Sequence, residues 1–471
     1  MKRILSFKTI EKKGEEVKLS GWVHSRRDHS QIIFIDLRDR GGLVQLVFLP
    51  DNQECYKLAD SLRGEWVIEV IGQVKQRPRG MVNEKIPTGE VEVEIKTLKV
   101  LNKAKTPPFE IAEEPGKGKK GVNEELRLEY RYLDLRRQKM RRNLFVRHKV
   151  IKLIRDFMDK KGFVEVETPI LTKSTPEGAR DFLVPSRLHL GEFYALPQAP
   201  QQLKQLLMVA GLEKYFQVAR CFRDEDLRGD RQPEFTQLDI EMSFVKQSNI
   251  LKLVEKMIIK IIKELIYVDI KLSKKFTFNP FLRLDYQEAI KKYNTDKPDL
   301  RKNKKDPNEL AFVWVLNWPL FEWNNDEKRY DPCHHVFTAP QEKDLPLLDK
   351  NPLKVRSRQY DLVLNGGEVG GGSIRVHQAD IQKKIFKLVG LQEEEINEKF
   401  GHLLKAFAYG APPHGGIALG LDRFLMTLLN EKSIREVIAF PKTGDAQDLI
   451  MKAPSKVSQG QLKELGIKFE S

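Results

Sequence analysis

Phe222-Arg-Asp-Glu-Asp-Leu-Arg-Gly-Asp-Arg-Gln-Pro-Glu-Phe-Thr-Gln-Leu-Asp-Ile-Glu, residues 222–241, carries a charge-dense loop between two β-rich runs. Phe216–Phe222 and Glu234–Met242 read as strands. A polar loop joins them, so they form an antiparallel pair rather than a strand–helix–strand unit, which points to an α+β fold. A charged loop is by default a solvated turn. Here Arg223 and Glu225 stand at the strand end and Phe235 just across the hairpin. An arginine so placed can grip a phosphate bidentately, and a nearby aromatic can stack on a purine.

Working outward, the hairpin belongs to a region that begins near residue 126. Val146, Val150, Ile154 and Phe157 share one helical face, with Gly162 as the stop. A strand at 163–168, helices at 201–208 and 249–267, and strands at 311–316 and 360–364 follow. Residues 295–310 are polar and proline-interrupted, residues 379–408 read as helical, and Gly415–Gly420 opens a last helix at 421–430. Residues 1–105 differ. Five β-branched runs, with a helical spacer near Tyr56–Leu62, suggest a small closed barrel of the oligonucleotide-binding type. Residues 106–125 are rich in proline, glycine and charge and read as a linker.

The 471 residues suffice for two to four domains with sizeable cores, at 40% apolar content. A net charge of +15 makes a polyanionic partner plausible. Three widely spaced cysteines, Cys55, Cys221 and Cys333, exclude a disulfide framework and a CxxC zinc site. Neither a signal-peptide core nor an 18-residue apolar stretch is present, so a cytoplasmic protein is expected.

Two more segments carry chemistry. Asn365-Gly-Gly-Glu-Val-Gly-Gly-Gly-Ser-Ile-Arg holds five glycines, which allow close approach of a ligand; the alternative is a flexible loop. Glu368 and Asp361 are hard oxygen donors suited to Mg²⁺ on a nucleotide. Gly415-Gly-Ile-Ala-Leu-Gly-Leu-Asp-Arg places Arg423 in the first turn of a helix, unfavourably with the dipole, which hints at an anion facing both. No GxxxxGK[ST] sequence occurs.

Together these segments resemble the three motifs of class II aminoacyl-tRNA synthetases, and the chain is similar to the bacterial-type aspartyl enzymes. Gly162–Leu171 resembles motif 1, with Pro169 at a dimer interface; Phe222-Arg-Asp-Glu resembles motif 2; Gly416–Arg423 resembles motif 3, with Ala418 where the class pattern has glycine. Arg131-Tyr-Leu-Asp-Leu-Arg, the 174–182 segment, Gln198–Lys204 and His334-His335 add subclass detail. The resemblance spans nearly the whole chain. It implies an OB-fold anticodon-binding domain at 1–105, a hinge at 106–139, and a catalytic domain at 140–471 built on an antiparallel sheet flanked by helices. One departure is large: after Asp296–Arg301 relatives carry an insertion of about a hundred residues, here reduced to residues 295–310.

The resemblance also implies roles. ATP, with Mg²⁺ on Asp361 and Glu368, would be held by Arg223, Asp224, Glu225, Gln232, Phe235, Gly420, Leu421, Asp422 and Arg423. Aspartate would be held by Glu177, Gln201, Lys204, Arg223, Asp239, His334 and Arg375, with Lys204 and Arg375 on its side-chain carboxylate. That buried cationic pair, left without an anion, would reject asparagine. Residues 171–180 resemble the loop that closes over the amino acid. Arg27, Phe34, Gln45 and Glu92 match anticodon-reading positions. His29 and Gly80 match the pattern of enzymes that charge both tRNA-Asp and tRNA-Asn. The implied partners are aspartate, these tRNAs and a second copy of the chain, with no membrane and no DNA. The rival readings are an enzyme restricted to tRNA-Asp, a lysine or asparagine enzyme of the same subclass, and a catalytically inactive RNA-binding relative.

Overall fold

The computed structural model describes residues 1–112, 122–175, 178–267 and 272–469. They divide into two compact units, Met1–Gln138 and Lys139–Ser471.

In the first unit β1 (Glu16–His29), β2 (Ile32–Asp39), β3 (Gly42–Phe48), β4 (Val67–Gln76) and β5 (Val91–Asn102) close into a barrel in the order β1-β2-β3-β5-β4. The closing contact, β3 with β5, is parallel. Strand alternation sends Val17, Leu19, Val23, Ile33, Ile35 and Leu46 inward, each buried, and α1 (Gln53–Ser61) covers them through Cys55 and Ala59. The expected linker is only partly irregular. Residues 113–121 lie outside the described residues, but Glu124–Glu129 and Arg131–Asp134 are helical. Arg127, Arg131 and Arg137 converge there on a fully buried Asp134. An ionic knot of this kind carries no apolar period, so the sequence pattern does not reveal it.

The second unit is built on eight strands. They are β6 (Val164–Glu165), β7 (Lys214–Phe222), β8 (Glu234–Ser243), β9 (Leu282–Asp285), β10 (Phe312–Leu316), β11 (Gln359–Leu364), β12 (Gly367–Ile374) and β13 (His414–Gly420), ordered β9-β10-β11-β12-β13-β8-β7-β6. The six central strands are antiparallel, as expected; both edge pairs, β9–β10 and β6–β7, are parallel, so the sheet is mixed. The strand expected at 163–168 shrinks to Val164–Glu165. The glycine run is strand β12 rather than a loop, and Gly415–Gly420 is strand β13 rather than a helix entry. The helix expected at 421–430 is Leu421–Leu428 and is followed by a short helix at Gln459–Glu464. The helical region 379–408 is two helices, Ala379–Leu388 and Glu393–Phe407, separated at Gly390 with its φ of +90° and restarted by a Gln392–Glu395 capping box.

Alternation sorts the sheet into two faces. Leu238, Ile240, Ile417, Leu419, Tyr360 and Leu362 are buried in the main core, which also takes the apolar face of the helix Gln247–Tyr267. The intervening positions form the floor of a cleft.

The 295–310 segment is tightly tied. The Glu309 carboxylate accepts the Lys302 and Asn303 amides at 2.8 and 2.9 Å, and Lys275–Phe276 pairs with Glu309–Leu310. The buried Lys274 ammonium donates to Pro307 O at 2.6 Å and Asn430 Oδ1 at 2.9 Å. Burial, aided by Arg142, pulls its pKa down to about 8. The unfolded chain therefore binds more protons between that value and the ordinary lysine range, and stability from this group rises with pH across the window. Wild type should gain on Lys274→Met by roughly 3 kcal/mol in all between pH 7 and the upper end of the window. Urea unfolding of both proteins at a series of pH values checks this, and parallel pH profiles would refute it.

Candidate active site

Cross-strand register builds the cleft floor. Asp361, Gly371, Ala418, Asp239 and Gln217 lie opposite one another on five adjacent strands; Gln359, Ser373, Gly416, Glu241 and Tyr215 form the next row on the same face. Acids stand on β8 and β11, with small residues between them. A Cβ at Gly416 would collide with Ile240 O and the Glu241 carboxylate, and one at Gly371 would come within 3.1 Å of Asp361 and 3.2 Å of His334. Glycine here is a clearance requirement rather than a source of flexibility. Above this floor opens a cavity of about 540 Å³.

Arg223, Glu225, Phe235, Glu368 and Arg423 all line that cavity. The Arg223 guanidinium lies 5.1 Å from the Phe235 ring centre. Its buried Nε has no hydrogen-bond partner, and among the described residues no carboxylate pairs with it. Glu225 is paired with Arg231 at 3.4 Å. Arg423 donates to Glu368 O at 2.6 Å and pairs with Asp230 at 3.2 Å, while its Nε is buried and unpartnered.

The end of the cavity around Lys204 and Arg375 is deeper. Lys204 Nζ lies 2.9 Å from Asp239 Oδ1 and 3.5 Å from Glu241 Oε2; Arg375 holds Glu241 through two contacts of 3.0 and 3.1 Å. All four side chains are essentially inaccessible. The expectation of a cationic pair waiting for an anion is thus corrected: two buried carboxylates already balance the two cations, because unpaired buried charge is too costly. Burial works against ionisation of Glu241, but Arg375 and Lys204 outweigh it and keep the carboxylate charged. One acceptor stays free: Asp239 Oδ2 is buried without a partner. Gln201 and His334 line the same pocket. Burial and then Arg375 pull His334 down to about 4, so the ring is neutral at pH 7. Glu177 lies outside the described residues. Gln198 clamps the Ala179 backbone at 2.7 and 3.0 Å, and both line the cavity.

Three residues assigned to the nucleotide have other engagements. Asp422 binds Arg147 with one oxygen and the Thr236 amide, at 2.8 Å, with the other. Leu421 is buried in the core. Gln232 reaches the cavity wall but clamps the Lys442 backbone at 2.7 and 3.1 Å. Gly420 caps the helix that bears Arg423, and Asp224 is exposed beside Arg180.

Asp361 and Glu368 both border Gly371. Burial, with Glu368 nearby, holds the Asp361 carboxyl well above the usual carboxylate range. For Glu368 burial acts upward, but Lys297 at 3.1 Å outweighs it and lowers the pKa. Two converging carboxylates fit an ion that completes its shell with phosphate oxygens, as Mg²⁺ does. Glu241, Lys297 and Asp230 are absent from the sequence-based site. Each lies in a segment read for another purpose, and its partners in the site come from distant parts of the chain.

On the barrel, Arg27, Asp36, Gln45 and Glu92 form one hydrogen-bonded row across four strands, at 3.1, 3.3 and 2.9 Å. Half-buried Phe34 stands opposite Arg27 in register. His29 and Gly80 are exposed, the latter with a φ of +88°.

Comparison with known proteins follows this division. The family model of class II tRNA synthetases (D, K and N) matches residues 123–444, and that of the OB-fold nucleic acid binding domain matches residues 17–101. The aspartate–tRNA(Asp/Asn) ligase of Dehalococcoides mccartyi is 44% identical, covering 98% of each chain; that of Rubrobacter xylanophilus is 44% identical over 96% of this chain and 94% of its own. The first alignment spans 597 positions against a chain of 471, so more than a hundred positions of that relative have no counterpart here. Asparaginyl-tRNA synthetase from Pyrococcus horikoshii, complexed with asparaginyl-adenylate, shares the fold at a TM-score of 0.75 and 23% identity, covering 94% of this chain and 98% of its own. A putative aspartyl-tRNA synthetase from Leishmania major superposes at 0.76 and 18% identity, over 93% and 94%. The chain belongs to the class II aminoacyl-tRNA synthetases, in the family of the aspartate–tRNA(Asp/Asn) ligases.

Proposed function

We propose that this protein activates L-aspartate with ATP and transfers it to tRNA-Asp and tRNA-Asn, working in the cytoplasm as a homodimer. The observation that carries the chemistry is the convergence on one cavity of Arg223, which pairs with no carboxylate among the described residues, with Arg423 and Glu368, in a cavity that continues into the balanced Lys204–Arg375 pocket. In the first step an aspartate α-carboxylate oxygen bonds to the α-phosphorus and the bond to pyrophosphate breaks. Arg223 lies where charge develops on the α-phosphate, and Phe235 offers a face to adenine. Arg423 takes the γ-phosphate, exchanging Asp230 for it. Asp239 Oδ2 receives the substrate ammonium, Lys204 and Arg375 receive the side-chain carboxylate, and Gln201 and His334 border the amino acid. In the second step a hydroxyl of the terminal adenosine attacks the acyl carbon and AMP leaves.

Asp361 and Glu368 would hold Mg²⁺, which when bound neutralises phosphate charge. The functional division we propose is an RNA-reading barrel at 1–105, a hinge at 106–139 and the catalytic part at 140–471. Phe34 would stack on an anticodon base, and Arg27, Gln45 and Glu92 would read base edges. Exposed Val164, Ile170 and Leu171, close to Pro169 in the chain, support burial against a second copy.

His29 and Gly80 support the relaxed tRNA choice. Purified enzyme should aminoacylate tRNA-Asn transcript with aspartate at a rate within about tenfold of tRNA-Asp, a discrimination below ~1.4 kcal/mol. Charging of tRNA-Asn no higher than background would restrict the enzyme to tRNA-Asp.

A further inference from the structure

Lys297 sits at the mouth of the acid pair with no role assigned above. Its Nζ lies 3.1 Å from Glu368 Oε2 and 3.9 Å from Asp296 Oδ2, and the charge of Asp361 also acts on it. The backbone that presents it is anchored. Pro298 is buried, Leu300 packs against the cluster around Val313 and Val363, and Arg301 is locked to Asp299. The side chain, by contrast, is 42% exposed and that of Glu368 32%, whereas Lys204 and Arg375 are 1% exposed. An ion pair open to water to this extent is weak and easily exchanged; the buried pairs are not. The site thus presents an acid pair, an exchangeable cation beside it, and a cavity wide enough for both the cation and an incoming phosphate chain.

We infer that Lys297 is the resident counter-ion of the Asp361–Glu368 pair: its ammonium holds Glu368 while no divalent cation is present and is exchanged for the cation when a nucleotide carries one in. The inference rests on reading these two carboxylates as the magnesium-holding pair. Lys297 acts through Glu368 and is a positioning residue. Keeping Glu368 neutralised orients it for the incoming ion and, at the same time, competes with free cations, so the site fills mainly when nucleotide phosphates add their own ligands.

Free Mn²⁺ binding to the full-length enzyme without nucleotide, read by electron paramagnetic resonance, tests this. Lys297→Met should bind Mn²⁺ at least fivefold more tightly than wild type, Lys297→Arg should match wild type, and Glu368→Gln should lose at least tenfold. A merely structural role for Lys297 predicts weaker binding on its removal. Unchanged or weaker binding by Lys297→Met, with the Glu368→Gln loss intact, would overturn the counter-ion role alone. Unchanged binding by Glu368→Gln would overturn the metal-pair reading beneath it. Should Lys297→Met fail to give a cooperative melt, Lys297→Gln carries the same expectation.

Discussion

Replacing Arg223 with alanine is expected to lower aspartate-dependent ATP–pyrophosphate exchange by ~10³-fold or more. Arg223 is the cation in the cleft to which the fold offers no carboxylate among the described residues, although nearby Arg423 and Lys297 are both paired. Its Nε is buried without a partner, and Phe235 supports the guanidinium plane. A group held in this way contributes little to folding and is poised for an anion. The variant should therefore melt near the wild-type temperature, since no buried carboxylate loses its counter-charge. Lysine at this position keeps the charge but loses the planar fork and the stack, so Arg223→Lys should recover only part of the rate. Exchange by Arg223→Ala within tenfold of wild type would contradict the role.

The fold was legible where side chains declare a period. Val17, Leu19 and Val23 alternate into the barrel, and Val146, Val150, Ile154 and Phe157 line one helix face in the main core. It was illegible where side chains are missing. Gly367–Ile374 is a central strand whose glycines give it no pattern, and its pairing is set by β11 and β13 on either side. The site divides in the same way. Arg223, Arg423, Glu368 and Asp239 stand in stretches with recognisable motifs. Glu241, only two residues beyond Asp239, is not legible as part of the site, because a carboxylate on a strand reads as outward-facing while its partners Lys204 and Arg375 lie far off in the chain. Asp422 is the converse case: it lies in a motif and lines the cavity, yet Arg147 and the Thr236 amide engage both its oxygens, which the motif does not reveal. Partner identity is a long-range property that linear spacing does not encode.

Discrimination between aspartate and asparagine is expected to be large, and the balanced pocket changes its cause. Without substrate, Lys204 and Arg375 are satisfied by Asp239 and Glu241, so an empty or neutral-filled pocket does not strand bare charge. Rejection comes instead from hydrogen-bond polarity. Lysine and arginine present only donors, and an asparagine amide nitrogen turned toward them is a donor facing donors. Buried sites built around one hydrogen-bonding pattern reject the mismatched analogue by factors of ~10⁴. Glu241→Gln should erode this selectivity, because a neutral amide no longer fixes the Arg375 guanidinium through two charged contacts.

The measurement that bears most directly on the whole account is ATP–pyrophosphate exchange by purified wild-type enzyme with aspartate, asparagine and lysine in parallel. The account predicts robust exchange with aspartate, at least ~10³-fold less with asparagine and none with lysine. Exchange of similar size with asparagine or lysine, or none with any of the three, would contradict it.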